Sequence, residues 1–233
     1  MPIATTSPDR QEAHHCGRTC RHSPNDVRLV EQRSNTPARW WVVLGKQVRH
    51  RRAREEILEA CWDLARHKGL AGFSLREVAQ AVGVQAPSLY SYFLSKNAMY
   101  DAMFADGNRA FVERMRQVPT PGSAREVLLA AATAFVGFCV EDPARHQLLF
   151  QRTVPGFEPS DESYAIAVEA ITLMRESFAP LGITDPADLD IWTALLCGLA
   201  AQQLANDPGG DRWTDLVPAA VDMYVHAVCK ETP

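Results

Sequence analysis

The chain has 233 residues, 46% of them hydrophobic and 22% charged, with a formal net charge of -4. These values fit a globular protein of one large domain, or a small one joined to a larger one, and exclude a uniformly basic nucleic-acid binder. The longest apolar run, Val127 to Val140, falls short of the ~18 residues of a membrane helix, and the N-terminus lacks the apolar core of a signal peptide, so no membrane role and a cytoplasmic location are expected.

Residues 1–45 mix Pro, Ser, Arg, His and Asn without a helical or strand period and read as a disordered or loosely ordered tail, interrupted by Trp40-Trp41-Val42-Val43-Leu44. His14, His15, Cys16, Cys20 and His22 could in principle bind zinc. The paired Cys-x2-Cys spacing of zinc sites is absent, so no metal site is assigned. The other cysteines, Cys61, Cys139, Cys197 and Cys229, lie among apolar residues and read as reduced core positions.

From Arg51 the period becomes helical, with Ile57, Leu58, Cys61, Leu64 and Ala65 on one face and Gly69 as the stop. Ser74 followed by Glu77 predicts a capping box for a helix over Leu75 to Val82, which Gly83 ends. A third helix is expected from Ala86 to Phe93 with Pro87 in its first turn, and a fourth from Ser95 to Met115. Beyond Pro119 and Pro121 the candidates are Ala124 to Val140, Pro143 to Phe150, Ser163 to Phe178, Asp188 to Ala205 and Asp211 to Cys229, the last kinked or delayed by Pro218. No strand pattern competes. The expectation is an all-α fold with a tail over 1–45, a small domain over 46–111 and a larger helical domain over 112–233.

Charge divides along the same lines. Lys46 to Lys96 carries nine Lys/Arg against five Asp/Glu, whereas Arg116 to Pro233 carries seven against sixteen. A basic segment followed by an acidic one suggests that the first faces an anionic partner.

The stretch Gly72 to Phe93, GFSLREVAQAVGVQAPSLYSYF, holds the strongest signal. Two short helices crossing steeply need a small residue at their contact, a glycine in the turn and an apolar residue locking the second helix. Ala79, Gly83 and Leu89 suit those roles, with Val78, Val82 and Val84 completing a small core. The pattern is a helix-turn-helix over residues 74–93, whose second helix would enter the major groove of DNA.

With REEILEACWDLARHKGL (Arg54 to Leu70) before it and PSLYSYFLSKNAMYDAM (Pro87 to Met103) closing it, the segment from Arg51 to Phe111 resembles the TetR family of regulators. Leu89, Tyr90, Phe93 and Lys96 carry the most recognisable pattern. Ala65 departs from it, standing where the family has a bulky aromatic. The resemblance implies an N-terminal helix-turn-helix domain and a C-terminal ligand-binding and dimerisation domain. It places Gln85, Ala86, Pro87 and Ser91 at base edges, and Ser74, Arg76, Ser88, Tyr90, Tyr92 and Lys96 at phosphates. Lys46, Arg49, Arg51 and Arg52 form a basic arm before the first helix. The alternative for Tyr90 and Tyr92 is packing, and for the arginines plain solvation.

The acidic half carries no catalytic set, so no enzyme activity and no cofactor are expected. His146, near Asp142 and Arg145, lacks an accompanying nucleophile. By the resemblance, the last two helices form a homodimer face, for which Ala194, Gly198, Ala201 and Ala205 supply small residues at helical spacing; the rival is packing within one chain. A cavity for a small hydrophobic effector would draw on Phe135, Phe138, Cys139, Leu149, Phe150, Tyr164, Met174, Trp192 and Leu196, against the alternative that many of these are plain core. The expected function is a dimeric, ligand-responsive repressor on a palindromic double-stranded DNA operator. A helical protein-interaction module and a metal-dependent enzyme are the alternatives.

Overall fold

The computed structural model describes residues 37–229, with side chains from residue 47 onward. The chain divides into two units, Met1–Val42 and Val43–Pro233. The zinc candidates His14, His15, Cys16, Cys20 and His22 lie outside the described residues, as do the side chains of Trp40, Trp41 and Lys46.

Every regular element among the described residues is helical: α1 Pro37–Lys68, α2 Leu75–Ala81, α3 Ala86–Leu89, α4 Lys96–Arg116, α5 Ala124–Glu141, α6 Pro143–Phe150, α7 Asp161–Phe178, α8 Pro186–Asn206 and α9 Val217–Val228. Single 3-10 turns follow α7 and precede α9. The expected all-α class is thus observed. The first helix, however, starts at Pro37, well before Arg51. Proline suits a first helical turn, and Gln47 through His50 are all exposed. These four residues offer no buried face, so the sequence there shows no apolar period to announce the helix. The last helix starts late, at Val217, because Pro218 fits only the first turn.

Local signals set the helix ends. Ser74 and Ser123 each accept from the backbone N–H three residues on, while Glu77 and Glu126 accept in return from the serine N–H, closing two capping boxes. The Lys68 ammonium, then Ser74, hold the Glu77 carboxyl down to about 2. After α2 the Val84 N–H reaches Ala79 O at 2.9 Å and the Gly83 N–H reaches Gln80 O at 3.2 Å. With Gly83 at φ +72, this is a Schellman stop. A Cβ on Gly83 would meet nothing within 4 Å, so only the left-handed backbone resists substitution. Gly83→Ala is therefore expected to cost about 1 kcal/mol. Urea unfolding should show a lower midpoint at unchanged slope.

Two apolar clusters hold the helices. The first gathers Ile57, Cys61, Trp62 and Ala65 of α1 around Val78, Ala79, Leu89, Phe93 and the start of α4. Ala65 is buried in this cluster beside the large rings of Trp62 and Phe73, which supply aromatic bulk from other positions. The second cluster joins α4, α5, α8 and α9 through Phe111, Leu128, Phe135, Val136, Trp192, Leu196 and Val221. Helix α4 contributes to both clusters and continues without a break past residue 111. At its start, Asp101 accepts from Ser160 and Ser163 and seats the N-terminus of α7. Helix α6 leaves α5 at 110° around Asp142. No single described helix is long and apolar enough to cross a membrane.

Candidate functional site

Helices α2 and α3 form the predicted helix-turn-helix. Val78, Ala79 and Leu89 are buried at its centre and Val82 is partly buried against them. Val84 is a correction to the expected small core: it is 40% exposed, because the Schellman turn swings it outward. The second helix is also shorter than expected. Regular α geometry covers Ala86–Leu89, and turn hydrogen bonds from Ser91 to Ser88 and from Tyr92 and Phe93 to Leu89 carry the chain on to Phe93.

The outer surface of this unit presents Arg76, Gln85, Pro87, Ser88, Tyr90 and Ser91 as exposed side chains, with Ala86 partly buried. Tyr90 is 53% exposed, and its hydroxyl has no hydrogen-bond partner among the described residues. Arg51 and Arg52 are exposed on α1 and pair loosely with Glu55 and Glu56 one turn on; such surface pairs are weak and open readily to a stronger anion.

Three of the expected phosphate contacts are engaged within the chain. The Ser74 N–H and hydroxyl both donate to the Glu77 carboxylate at 2.8 Å, so an anion already sits at the N-terminus of α2. Tyr92 stacks on His50 at 4.7 Å between centroids. Lys96 donates to Phe73 O at 2.6 Å and Ala71 O at 3.3 Å and lies over the Phe73 ring. These residues therefore fix the geometry of the unit. Arg54 was missed by the sequence reading: its guanidinium lies 4.6 Å above Phe93 and ties α1 to the end of the second helix. Its spacing from Phe93 carried no signal.

The larger helical half encloses a cavity of about 280 Å³ between α4, α5, α6, α7 and α8. Phe135, Leu149, Phe150, Tyr164, Met174 and Trp192 line it as expected. Phe138, Cys139 and Leu196 do not; they are closed into the core behind it, and burial raises the Cys139 thiol far above its ordinary range. The sequence reading missed the α4 wall, Phe104, Asn108 and Phe111. Three rings meet within it with centroids 5.3 to 5.5 Å apart: Phe111 packs edge-on against Phe135 and Phe150, which are tilted against each other.

His146 is 1% exposed. Its Nε2 meets Gln151 at 2.9 Å, and its Nδ1 has no partner among the described residues. Asp142 points elsewhere, to Arg66. Burial lowers the imidazole below its ordinary 6.5. The folded state thus binds this proton less well than the unfolded chain, so stability is full above pH ~6.5 and declines as pH falls below it. His146→Phe should flatten that acid-side loss in thermal melts between about pH 5 and 7, and an unchanged pH slope would remove His146 as its origin. Among the described residues no His, Cys, Asp and Glu group could hold a metal ion.

The described family of "Bacterial regulatory proteins, tetR family" matches residues 57–103, which span α1's buried half through the start of α4. The HTH-type transcriptional regulator Rv1816 of Mycobacterium tuberculosis is 29% identical over 139 residues. That match covers 56% of this chain and 59% of the relative, so the chain spans about three fifths of the length of that curated relative. Among solved structures, a tetR-family transcriptional regulator from Streptomyces coelicolor has a TM-score of 0.61 at 21% identity, covering 76% of this chain and 80% of that one. FadR from Bacillus subtilis, solved with stearoyl-CoA, has a TM-score of 0.57 at 16% identity, covering 73% and 97%. At these identities the solved structures speak for the fold alone.

Proposed function

We propose that the chain, whose helix-turn-helix segment matches the tetR family of bacterial regulatory proteins over residues 57–103, is a ligand-responsive transcriptional repressor that binds a palindromic DNA operator as a homodimer. The observation that carries DNA binding is the outer face of the helix-turn-helix. Gln85, Pro87, Ser88, Tyr90 and Ser91 stand exposed beyond a buried Leu89. Nothing in the fold requires a tyrosine to stand free there. Gln85, Ala86, Pro87 and Ser91 are assigned to base edges, and Arg76, Ser88 and Tyr90 to phosphates, with Arg51 and Arg52 reaching the backbone from α1. Lys96, Ser74 and Tyr92 are assigned to holding the unit in shape.

The dimer reading is supported by α8 and α9. Ala194, Gly198 and Ala205 are exposed in the single chain, and no atom lies within 4 Å of where a Gly198 Cβ would stand. Beside them Ile191 and Met223 are exposed, Met223 at 73%. A face of small residues flanked by bare apolar side chains suits close approach of a second copy, and among the described residues no helix of the same chain covers it. We assign DNA reading to 46–111 and partner and effector binding to 112–233, with Phe104, Asn108 and Phe111 of α4 adding a wall of the cavity from the first part.

The test is a mobility shift on the intergenic DNA beside the protein's own gene, with footprinting of the bound fragment. A protected palindrome with two half-sites one helical turn apart is the expected result. No shift on any such fragment at low salt would refute the reading. Gln85→Ala should alter sequence preference at one base pair per half-site by about 1–3 kcal/mol, and an unchanged preference profile would take Gln85 out of the reading set.

A further inference from the structure

The lining of the cavity constrains what can enter it. Its volume of about 280 Å³ lies near the lower end of small-molecule sites. No Asp, Glu, Lys, Arg or His is among the lining residues. An ion entering would leave water for aromatic and aliphatic walls without a counter-charge, which disfavours carboxylates and ammonium groups alike.

One buried polar side chain interrupts those walls. Asn108 sits on α4 between Phe104 and Phe111, is 3% exposed and lines the cavity. Its Nδ2 donates to Phe104 O at 2.9 Å. Only an N–H can donate to a carbonyl, so this bond fixes which end of the amide is which. It leaves Oδ1 and the second N–H without a partner among the described residues. The bond itself adds little to the fold, because a carbonyl in the middle of a helix already serves the helix's own ladder. A buried amide left half-satisfied is a cost that an apolar residue here would avoid. Of the other polar lining groups, the Thr193 hydroxyl already donates to Leu189 O at 3.0 Å, Thr120 and Tyr164 are exposed and Ser177 is partly exposed, and the buried Trp192 indole offers a donor but no acceptor.

We propose that the effector is an uncharged, largely apolar molecule carrying a hydroxyl or amide N–H that donates to Asn108 Oδ1. This rests on the effector reading given above and narrows it to a ligand class. Phe111, Phe135 and Phe150 hold the apolar body, and Asn108 supplies the point of recognition.

Calorimetric titration of the full-length protein with decan-1-ol, its methyl ether, decanoate and decylammonium at pH 7 tests this. The alcohol should bind at least about tenfold tighter than either ion and about tenfold tighter than the ether, which lacks the donor. In Asn108→Leu the alcohol and ether should bind alike. As a second variant, Asn108→Asp keeps the side-chain size, and decylammonium should gain about tenfold in it. Either ion matching the alcohol on the unaltered protein, an alcohol preference that survives Asn108→Leu, or no binding by any of the four would overturn the proposal. These ratios involve no DNA, so a failed mobility shift strikes the regulator reading and leaves them standing. A sound shift with the wrong ratios does the reverse.

Discussion

Leu89→Ala is expected to lower stability by about 3 kcal/mol and to abolish operator binding at temperatures where the rest of the chain stays folded. The side chain is 1% exposed and packs in the cluster with Val78, Ala79 and Phe93. Removing three carbons from such a site loses their transfer free energy and leaves a void that the crossed helices cannot close without moving. The effect on DNA exceeds the effect on folding for a further reason. Regular helix in α3 covers only Ala86–Leu89, far too short to persist by its own propensity. Gln85, Pro87 and Ser88 therefore hold their positions only because Leu89 and Phe93 pin the segment from below. Leu94→Ala provides the contrast: Leu94 is 84% exposed, and its loss should change the melting temperature little. Circular dichroism melts beside a mobility shift give both readings. Full operator affinity in a destabilised Leu89→Ala protein would show that the recognition segment is held by something other than this contact.

The sequence was most legible where the deciding interaction is local. Ser74 and Glu77 lie three residues apart and form the capping box they announce; Gly83 adopts the positive φ that its place at a helix end implies. Burial of a helix face also reads well, since the period that places Val78 and Leu89 inward is a property of consecutive residues. What the sequence does not show is non-local. Lys96 has a basic residue's pattern, and nothing in the sequence indicates that two carbonyls more than twenty residues earlier engage its ammonium. Phe138, Cys139 and Leu196 share the apolar character of Phe135 and Trp192 but stand behind the cavity wall. Periodicity tells which face of α5 turns inward, and not which part of the interior is left unfilled. The α4 wall was missed for the same reason. Phe104, Asn108 and Phe111 follow the helix-turn-helix so closely that they read as its continuation, whereas α4 runs on to serve both clusters.

Asp142→Ala is the second large expected effect, about 2 kcal/mol of stability, and it concerns the seam between the DNA-reading helices and the cavity. Asp142 Oδ2 accepts from Arg66 Nε at 3.0 Å and Nη2 at 2.8 Å, while its Oδ1 caps α6 through the Arg145 N–H at 3.1 Å. The carboxylate is nearly buried, and the Arg66 side chain is 37% exposed, so water recovers part of the lost attraction and the ion pair counts for less than a fully enclosed one. The Arg145 Nε, buried beside Trp62 at 3.6 Å from Asp142, has no hydrogen-bond partner and loses its nearest anion as well. Asp142→Asn keeps the cap and removes the charge, so it should cost about half as much. The difference between the two variants isolates the helix cap from the ion pair, and a double-mutant cycle with Arg66→Ala should give a coupling of about 1 kcal/mol. The position matters beyond stability because α6 holds Asp142 at one end and presents Leu149 and Phe150 to the cavity at the other, while Arg66 lies in the last turn of α1, just before the turn into α2. A shift of α6 on ligand entry would act on α1 through this pair. In Asp142→Ala, decan-1-ol should therefore bind as before but release operator DNA less effectively. Undiminished release would show that α4 alone carries the signal, and a stability change under about 0.5 kcal/mol would show that the pair is a surface contact of no consequence.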